Sequence, residues 1–157
     1  TVLNDWLDDG VRAAGAILAI TAAGGAFGAI LRVAGIGQSL SQSLSAWDLG
    51  LFLPFLLAAV LKTAQGSSTV SIITASPIVA SLLPQLGLAG DWGPVLALLA
   101  LGAGSMVVSH ANDSYFWVVT RFSGLDVSTA YRVYTTATLL MGLSILAVIY
   151  LLSFVLT

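Results

Sequence analysis

A chain of 157 residues with 58% hydrophobic and only 8% charged residues lacks the side chains to wet a soluble surface, which takes roughly 25–35% charge. Five basic residues, seven acidic ones and one His give a net charge of −2, and no basic stripe of the kind a nucleic-acid binder needs. With a mean hydropathy of +1.01, the composition excludes soluble and disordered chains and leaves an integral membrane protein embedded in a lipid bilayer. There is no Cys, which excludes disulfides, thiolate metal sites and thiol nucleophiles. No metal or cofactor is expected.

The apolar runs are long and rich in Leu, Ala, Ile and Val. A membrane barrel would instead show alternating segments of roughly ten residues, so the runs predict helices. Residues 1–9 are polar, with Trp6 placed for an interface. No basic n-region leads into a short apolar run and a cleavage site, so no signal peptide is expected. A first residue of Thr suggests a processed chain or one cut from something longer. Residues 10–35 are apolar and long enough to cross a bilayer, which takes about 20 residues. Gly24 and Gly28 form a small-xxx-small face there for close helix packing, and Arg32 sits where it can snorkel to the interface. Residues 36–48 are rich in Ser and Gln and read as a loop.

Residues 49–83 form two short apolar arms around Gln65-Gly66-Ser67-Ser68-Thr69. Arms of about 14–16 residues rise roughly 21–24 Å, short of the roughly 30 Å hydrocarbon core. Short apolar segments interrupted by Gly and Ser point to a re-entrant hairpin or a broken helix; the alternative is an ordinary turn outside the membrane. After a loop at 84–92, residues 93–119 form a second apolar segment, broken by Ser109-His110-Ala111-Asn112-Asp113. A polar connection at 121–132 leads into a last spanning helix at about 128–156. The expected fold is therefore all-α and integral to the membrane. It has about three membrane-crossing helices, one of them broken, plus one re-entrant hairpin.

Basic residues set the orientation. Arg12, Arg121 and Arg132 fall on one face, whereas the 36–48 and 84–92 loops carry Asp48 and Asp91 and no Lys or Arg. The positive-inside rule then puts residues 121–132 in the cytoplasm and the C-terminus outside.

Two polar patches carry the chemistry. Irregular backbone at membrane depth is tolerated only where it is buried in protein or lines a watered cavity. A helix starting near Ser68 points its orphan N–H groups, and the positive end of its dipole, back at the break. With hydroxyls from Ser67, Ser68 and Thr69 as further donors, this suits a carboxylate. The alternative is a Ser/Thr-rich cap that packs two helices and binds nothing. In the second patch, Ser109 and Asn112 offer hydrogen bonds. His110 titrates near neutral pH, and Asp113 costs about 2.5–3.5 kcal/mol to insert on translocon scales. His110 and Asp113 are thus candidates to carry a coupling proton; a solvated interfacial loop is the alternative. Asn112-Asp113-Ser114 matches a glycosylation sequon but would be unreachable at membrane depth. Lys62, one turn before the first break, is placed to attract an anion, to pair with Asp113, or to snorkel. Ser105 or Ser109 with His110 does not make a hydrolase, because no elbow motif and no third orienting group accompany them. No enzyme activity is expected.

Several stretches recur together, in this order, in the gluconate permease family: Ala23-Gly24-Gly25-Ala26-Phe27-Gly28, Ala64 to Val70, Gly102-Ala103-Gly104-Ser105, and Ser109 to Trp117. The chain resembles the C-terminal third of these longer proteins. The family is similar to the wider ion-transporter superfamily, whose members have inverted repeats, each with a re-entrant hairpin and a broken helix. The resemblance implies a sugar-acid:proton symporter of the inner (plasma) membrane, working by alternating access on a small anionic substrate. It implies substrate contacts at Gly66, Ser67, Ser68, Thr69, Ser109 and Asn112, and proton coupling at His110 and Asp113. The sequence departs from the family pattern at Ser68 (usually Ala), Ala111 (usually Val), Tyr115 (commonly Gly) and Lys62 (usually Arg); Tyr115 would narrow the site. A carrier needs a moving element and a frame, and this chain offers half of that design. A missing N-terminal part is therefore an expected partner, with a homo-oligomer also open. The alternative is a membrane-embedded fragment or subunit without transport activity of its own.

Overall fold

The computed structural model describes residues 4–12, 14–15, 22, 26, 30, 33 and 49–156. The Gly24–Gly28 packing face, Arg32 and the 36–48 loop lie outside the described residues. Residues 4–12 are helical, with an exposed Arg12–Asp8 pair at 2.8 Å. From residue 49 onward, every regular element among the described residues is a helix.

Helix α1 (Phe52–Gln65) places Pro54 in its first turn, where no intrahelical N–H is required. It stops at Gly66, whose φ of 75° is left-handed, with the Gly66 N–H on the Lys62 carbonyl at 2.7 Å. Helix α2 (Ser68–Leu82) begins at once, capped by Ser67, whose Oγ accepts from the Val70 N–H at 3.3 Å. Only Gly66 and Ser67 separate the two helices, so α2 returns along α1 as a helical hairpin. A turn through Gly87 (φ 71°) leads to α3 (Gly93–Ser105), which has Pro94 in its first turn. The chain then leaves helical geometry until α4 (Ser114–Phe122). Asp126 caps the final helix α5 (Val127–Leu156) by accepting from the Thr129 N–H at 3.1 Å. This contact, first through its side chain, holds the exposed Asp126 carboxyl below its ordinary value. Residues Tyr131–Thr135 of α5 form a π turn.

Helix α3 is the hub, packed on α1, α2 and α5. Its sequence, GPVLALLALGAGS, is mostly small residues and Leu, so neighbouring backbones approach closely. A Cβ on Gly104 would collide with the Phe55 carbonyl of α1, and one on Gly142 of α5 with the Val107 side chain and the Ala103 carbonyl. Phe55, Ala58, Ala75, Val79, Leu96, Ala100, Leu101, Leu146 and Ile149 form the buried core between these helices. On α5 the opposite faces are bare: Leu140, Leu143, Val148, Leu151, Phe154 and Val155 are exposed. An apolar surface this extensive belongs against lipid or another protein surface.

At about 1.5 Å per residue, α5 spans ~45 Å and is long and apolar enough to cross a membrane. Helices α1, α2 and α3, with 14, 15 and 13 residues, rise only ~20–23 Å. Among the described residues α5 is the one candidate span by length and composition.

Candidate functional site

The two interruptions meet. Gly66 lies so close to the second break that a Cβ there would fall on the Asn112 carbonyl. A left-handed φ and a backbone neighbour together leave glycine as the residue that fits. Beside this contact opens a cavity of about 440 Å³, lined from α1 by Lys62, from the first break by Gly66, Ser67 and Ser68, and from the second by Ser109 and Asp113. Met106, Ser114, Tyr115, and Tyr134, Thr138 and Met141 of α5 complete the wall. Its size falls within the roughly 300–1,000 Å³ of small-molecule sites.

An ion pair forms the floor. Lys62 and Asp113 are both buried, and Lys62 Nζ lies 2.5 Å from Asp113 Oδ2. The ammonium also donates to the Gly66 carbonyl at 3.3 Å, at the C-terminal end of α1, where the helix dipole favours a cation. Asp113 Oδ2 accepts a further hydrogen bond from the Ser109 hydroxyl, while Oδ1 accepts from the Tyr115 N–H at 2.9 Å and so caps α4. Burial of two charges is tolerated only where they are paired and hydrogen-bonded in this way. Of the readings open for Lys62, the structure shows pairing with Asp113.

Other polar groups are only partly committed. Ser67 uses its oxygen as acceptor for the α2 cap, which leaves its O–H for the cavity. Ser68 donates to the Ser105 carbonyl at 2.7 Å, tying the start of α2 to the end of α3.

Three residues expected at the site stand outside this cavity. Thr69 is exposed, because the ~100° step per residue of a helix turns it away from Ser68. Asn112 donates to the Thr63 carbonyl at 2.6 Å, and His110 Nε2 sits on the same carbonyl at 3.2 Å. Both clamp the outer side of the break to α1, at the carbonyls near its C-terminus. The Ser109 hydroxyl goes to Asp113 rather than to His110, so no nucleophile–base pair forms there.

The contribution from α5 lies outside both polar patches singled out in the sequence. Thr135 Oγ1 donates to the Ser109 carbonyl at 2.6 Å, and Thr138 Oγ1 accepts from the Ser109 N–H at 3.2 Å. The Tyr131 hydroxyl accepts from the Ala111 N–H at 3.2 Å. Three side chains of one helix thus satisfy backbone groups freed by the second break. The break also contains Val108 at φ 55°, a strained value for a β-branched residue. The signal available was the run Tyr131-Arg132-Val133-Tyr134-Thr135-Thr136-Ala137-Thr138, unusually polar for the start of a span.

The model of the GntP family permease matches residues 1–155. The chain belongs to the GntP permease family. It is similar to the D-serine transporter DsdX of Escherichia coli K12, 37% identical over 140 residues, covering 88% of this chain and 31% of that protein. It is also similar to the gluconate permease of Pseudomonas aeruginosa, 35% identical over 151 residues (96% and 33%). An uncharacterized permease of Haemophilus influenzae is 38% identical over 121 residues (76% and 24%). The chain therefore spans about a quarter to a third of the length of the curated relatives it matches. No solved structure matches. Gly66 and Gly104 sit at close backbone contacts, and Ser109 and Asp113 where the cavity opens.

Proposed function

We propose that this chain forms the substrate-binding part of an inner-membrane carrier that takes up a sugar acid or related small carboxylate by proton symport and alternating access. The observation that carries the proposal is the single cavity shared by the two breaks, with a buried ion pair on its floor. Polar backbone breaks at membrane depth need a common cavity, and midplane sites between discontinuous helices are the usual arrangement in secondary transporters. The printed substrates of the relatives, gluconate and D-serine, both carry a carboxylate and hydroxyl chemistry. The Ser67 hydroxyl, the free N–H groups at the start of α2 and the Lys62 ammonium suit such a ligand.

In this reading α1 and α2 are a re-entrant hairpin, because neither is long enough to cross alone. Helices α3 and α4 make one discontinuous crossing, α5 another, and residues 10–35 a third. Residues 121–132 face the cytoplasm. Asp113 is favoured over His110 as the coupling group, since it lines the cavity and His110 faces the Thr63 carbonyl. The frame against which this unit moves is supplied by a preceding part of the transporter. The competing reading is an embedded subunit without transport of its own.

Uptake of labelled D-gluconate or D-serine into proteoliposomes, with and without an inward proton gradient, tests the proposal. Accumulation that collapses with the gradient supports symport. Accumulation independent of the gradient contradicts it. Absence of uptake in the presence of the preceding segment favours the subunit reading.

A further inference from the structure

The buried pair raises a charge problem whose solution assigns a role to Lys62. In the cavity Lys62 (+1) and Asp113 (−1) sum to zero, and among the described residues no other Asp, Glu, Lys or Arg lines it. A carboxylate entering this site alone would leave one uncompensated negative charge in a poorly hydrated space, at a cost of several kcal/mol. While Asp113 is ionised it neutralises the Lys62 charge, so the pair has no net positive charge to offer a second anion. Yet among the described residues its ammonium uses only two donors, on Asp113 and on the Gly66 carbonyl. An ammonium has three, so one N–H remains for a substrate oxygen.

We infer that Lys62 and Asp113 work as an exchange pair: a proton taken up by Asp113 releases the Lys62 ammonium to the substrate carboxylate. This rests on the proposed function and deepens it. The balance is simple. Before loading, the cavity holds Asp113 carboxylate and Lys62 ammonium. After loading, it holds neutral Asp113, Lys62 ammonium and the substrate carboxylate. Net charge is zero in both states, so one proton accompanies one monovalent carboxylate. A substrate without a proton, or a proton without a substrate, leaves a net buried charge and is disfavoured.

The surroundings suit the exchange. Asp113 faces Lys62 from α1, the Ser109 hydroxyl from its own break, Tyr115 at the start of α4 and Tyr134 from α5. None of the tyrosines is charged near neutral pH. His110 lies on the Thr63 carbonyl, and neither Arg121 nor Arg132 lines the cavity. A protonated Asp113 keeps partners, since the Ser109 oxygen can accept from its O–H while Oδ1 still receives the Tyr115 N–H. The α4 cap therefore survives proton uptake, and the cavity keeps its shape through the exchange.

The experiment is calorimetric titration of D-gluconate, a monoanion, into the purified protein in lipid nanodiscs, in buffers of different ionisation enthalpy. The expected result is uptake of close to one proton per ligand above the pH at which Asp113 ionises. Affinity should then fall about tenfold per pH unit, as linkage of one proton requires. Asp113→Asn, neutral at every pH and nearly the same shape, should bind with a flat pH profile and no proton uptake. Lys62→Gln should weaken binding at least about tenfold at every pH, since it removes a charge-assisted hydrogen bond. Binding with no proton uptake by the unaltered protein overturns the exchange while leaving the carboxylate site standing, and that measurement does not depend on the variants folding. An Asp113→Asn protein that keeps the parent's pH slope also overturns it. If D-gluconate binds at no pH, the site reading fails and the exchange falls with it.

Discussion

The two breaks that build the cavity are made in different ways. The first is two residues long and local: Gly66 supplies the left-handed turn, Ser67 caps the next helix, and Lys62 reaches back to the Gly66 carbonyl. The second runs from Met106 to Asp113, contains a strained Val108, and depends on distant partners. Its outer side hangs on Thr63 of α1 and its inner side on Thr135, Thr138 and Tyr131 of α5. A break that carries its own caps is a fixed feature. A break held open by other helices takes its shape from where they lie, and under the proposed function it is the break an alternating-access carrier would move.

The contrast can be broken most violently at Gly66. Gly66→Ala meets both a left-handed backbone, worth about 1–2 kcal/mol, and the Asn112 carbonyl. We expect loss of the folded protein or a fall in its thermal midpoint in detergent larger than for any other variant discussed here. Next comes the pair that joins the breaks. Lys62→Met alone strands Asp113 and should cost about 3–5 kcal/mol, whereas Lys62→Met with Asp113→Leu should recover most of it. A double-mutant cycle on denaturant midpoints, with Asp113→Leu as the second single variant, reads the difference, and a double-variant loss equal to the sum of the two single losses would mean the pair is not coupled. Thr138→Val leaves the Ser109 N–H unpaired and should cost about 1–3 kcal/mol. It should also raise hydrogen exchange at residues 107–112 while leaving the α1–α2 turn protected. Ser67→Ala should cost only about 1 kcal/mol, the value of an N-cap, and should leave the second break untouched.

The smallest effect belongs to a cap remote from both breaks. The Asp126 carboxyl is held below its ordinary value, so its contribution is present above the unfolded carboxyl pKa and is lost as pH falls through the lower folded value. Asp126→Ala should therefore lower the thermal midpoint slightly at neutral pH, and the difference from the parent should vanish at strongly acidic pH.

The same contrast explains what could be read from the sequence. Gly66, Ser67 and the short arms on either side were legible because turn and cap chemistry is written in adjacent residues. The second break was legible as a polar interruption, but not in its orientation. In irregular backbone, neighbours in sequence need not share a face, so Ser109 and Asp113 turn to the cavity while His110 and Asn112 turn to Thr63. Thr69 was misplaced for a simpler reason, being already inside α2. The roles of Thr135, Thr138 and Tyr134 were hidden because they sit in a long apolar helix. Thr135 and Thr138 meet Ser109 26 and 29 residues away, and no local pattern reports such a contact. Family resemblance marked the positions of both breaks and could not say which side chains share a wall.

The central claim is that both breaks line one substrate cavity. The chain has no native Cys, so single cysteines report cleanly. Cysteines placed at Ser68 and Ser109 should react with a small thiol reagent, and D-gluconate or D-serine should protect both with the same concentration dependence. A cysteine at Ser76, which lines a separate 220 Å³ cavity between α2 and α3, should keep its rate. Protection at Ser68 and Ser109 with a shared midpoint is the predicted result. Protection at only one of them, or at neither while Ser76 is shielded, would contradict the shared site.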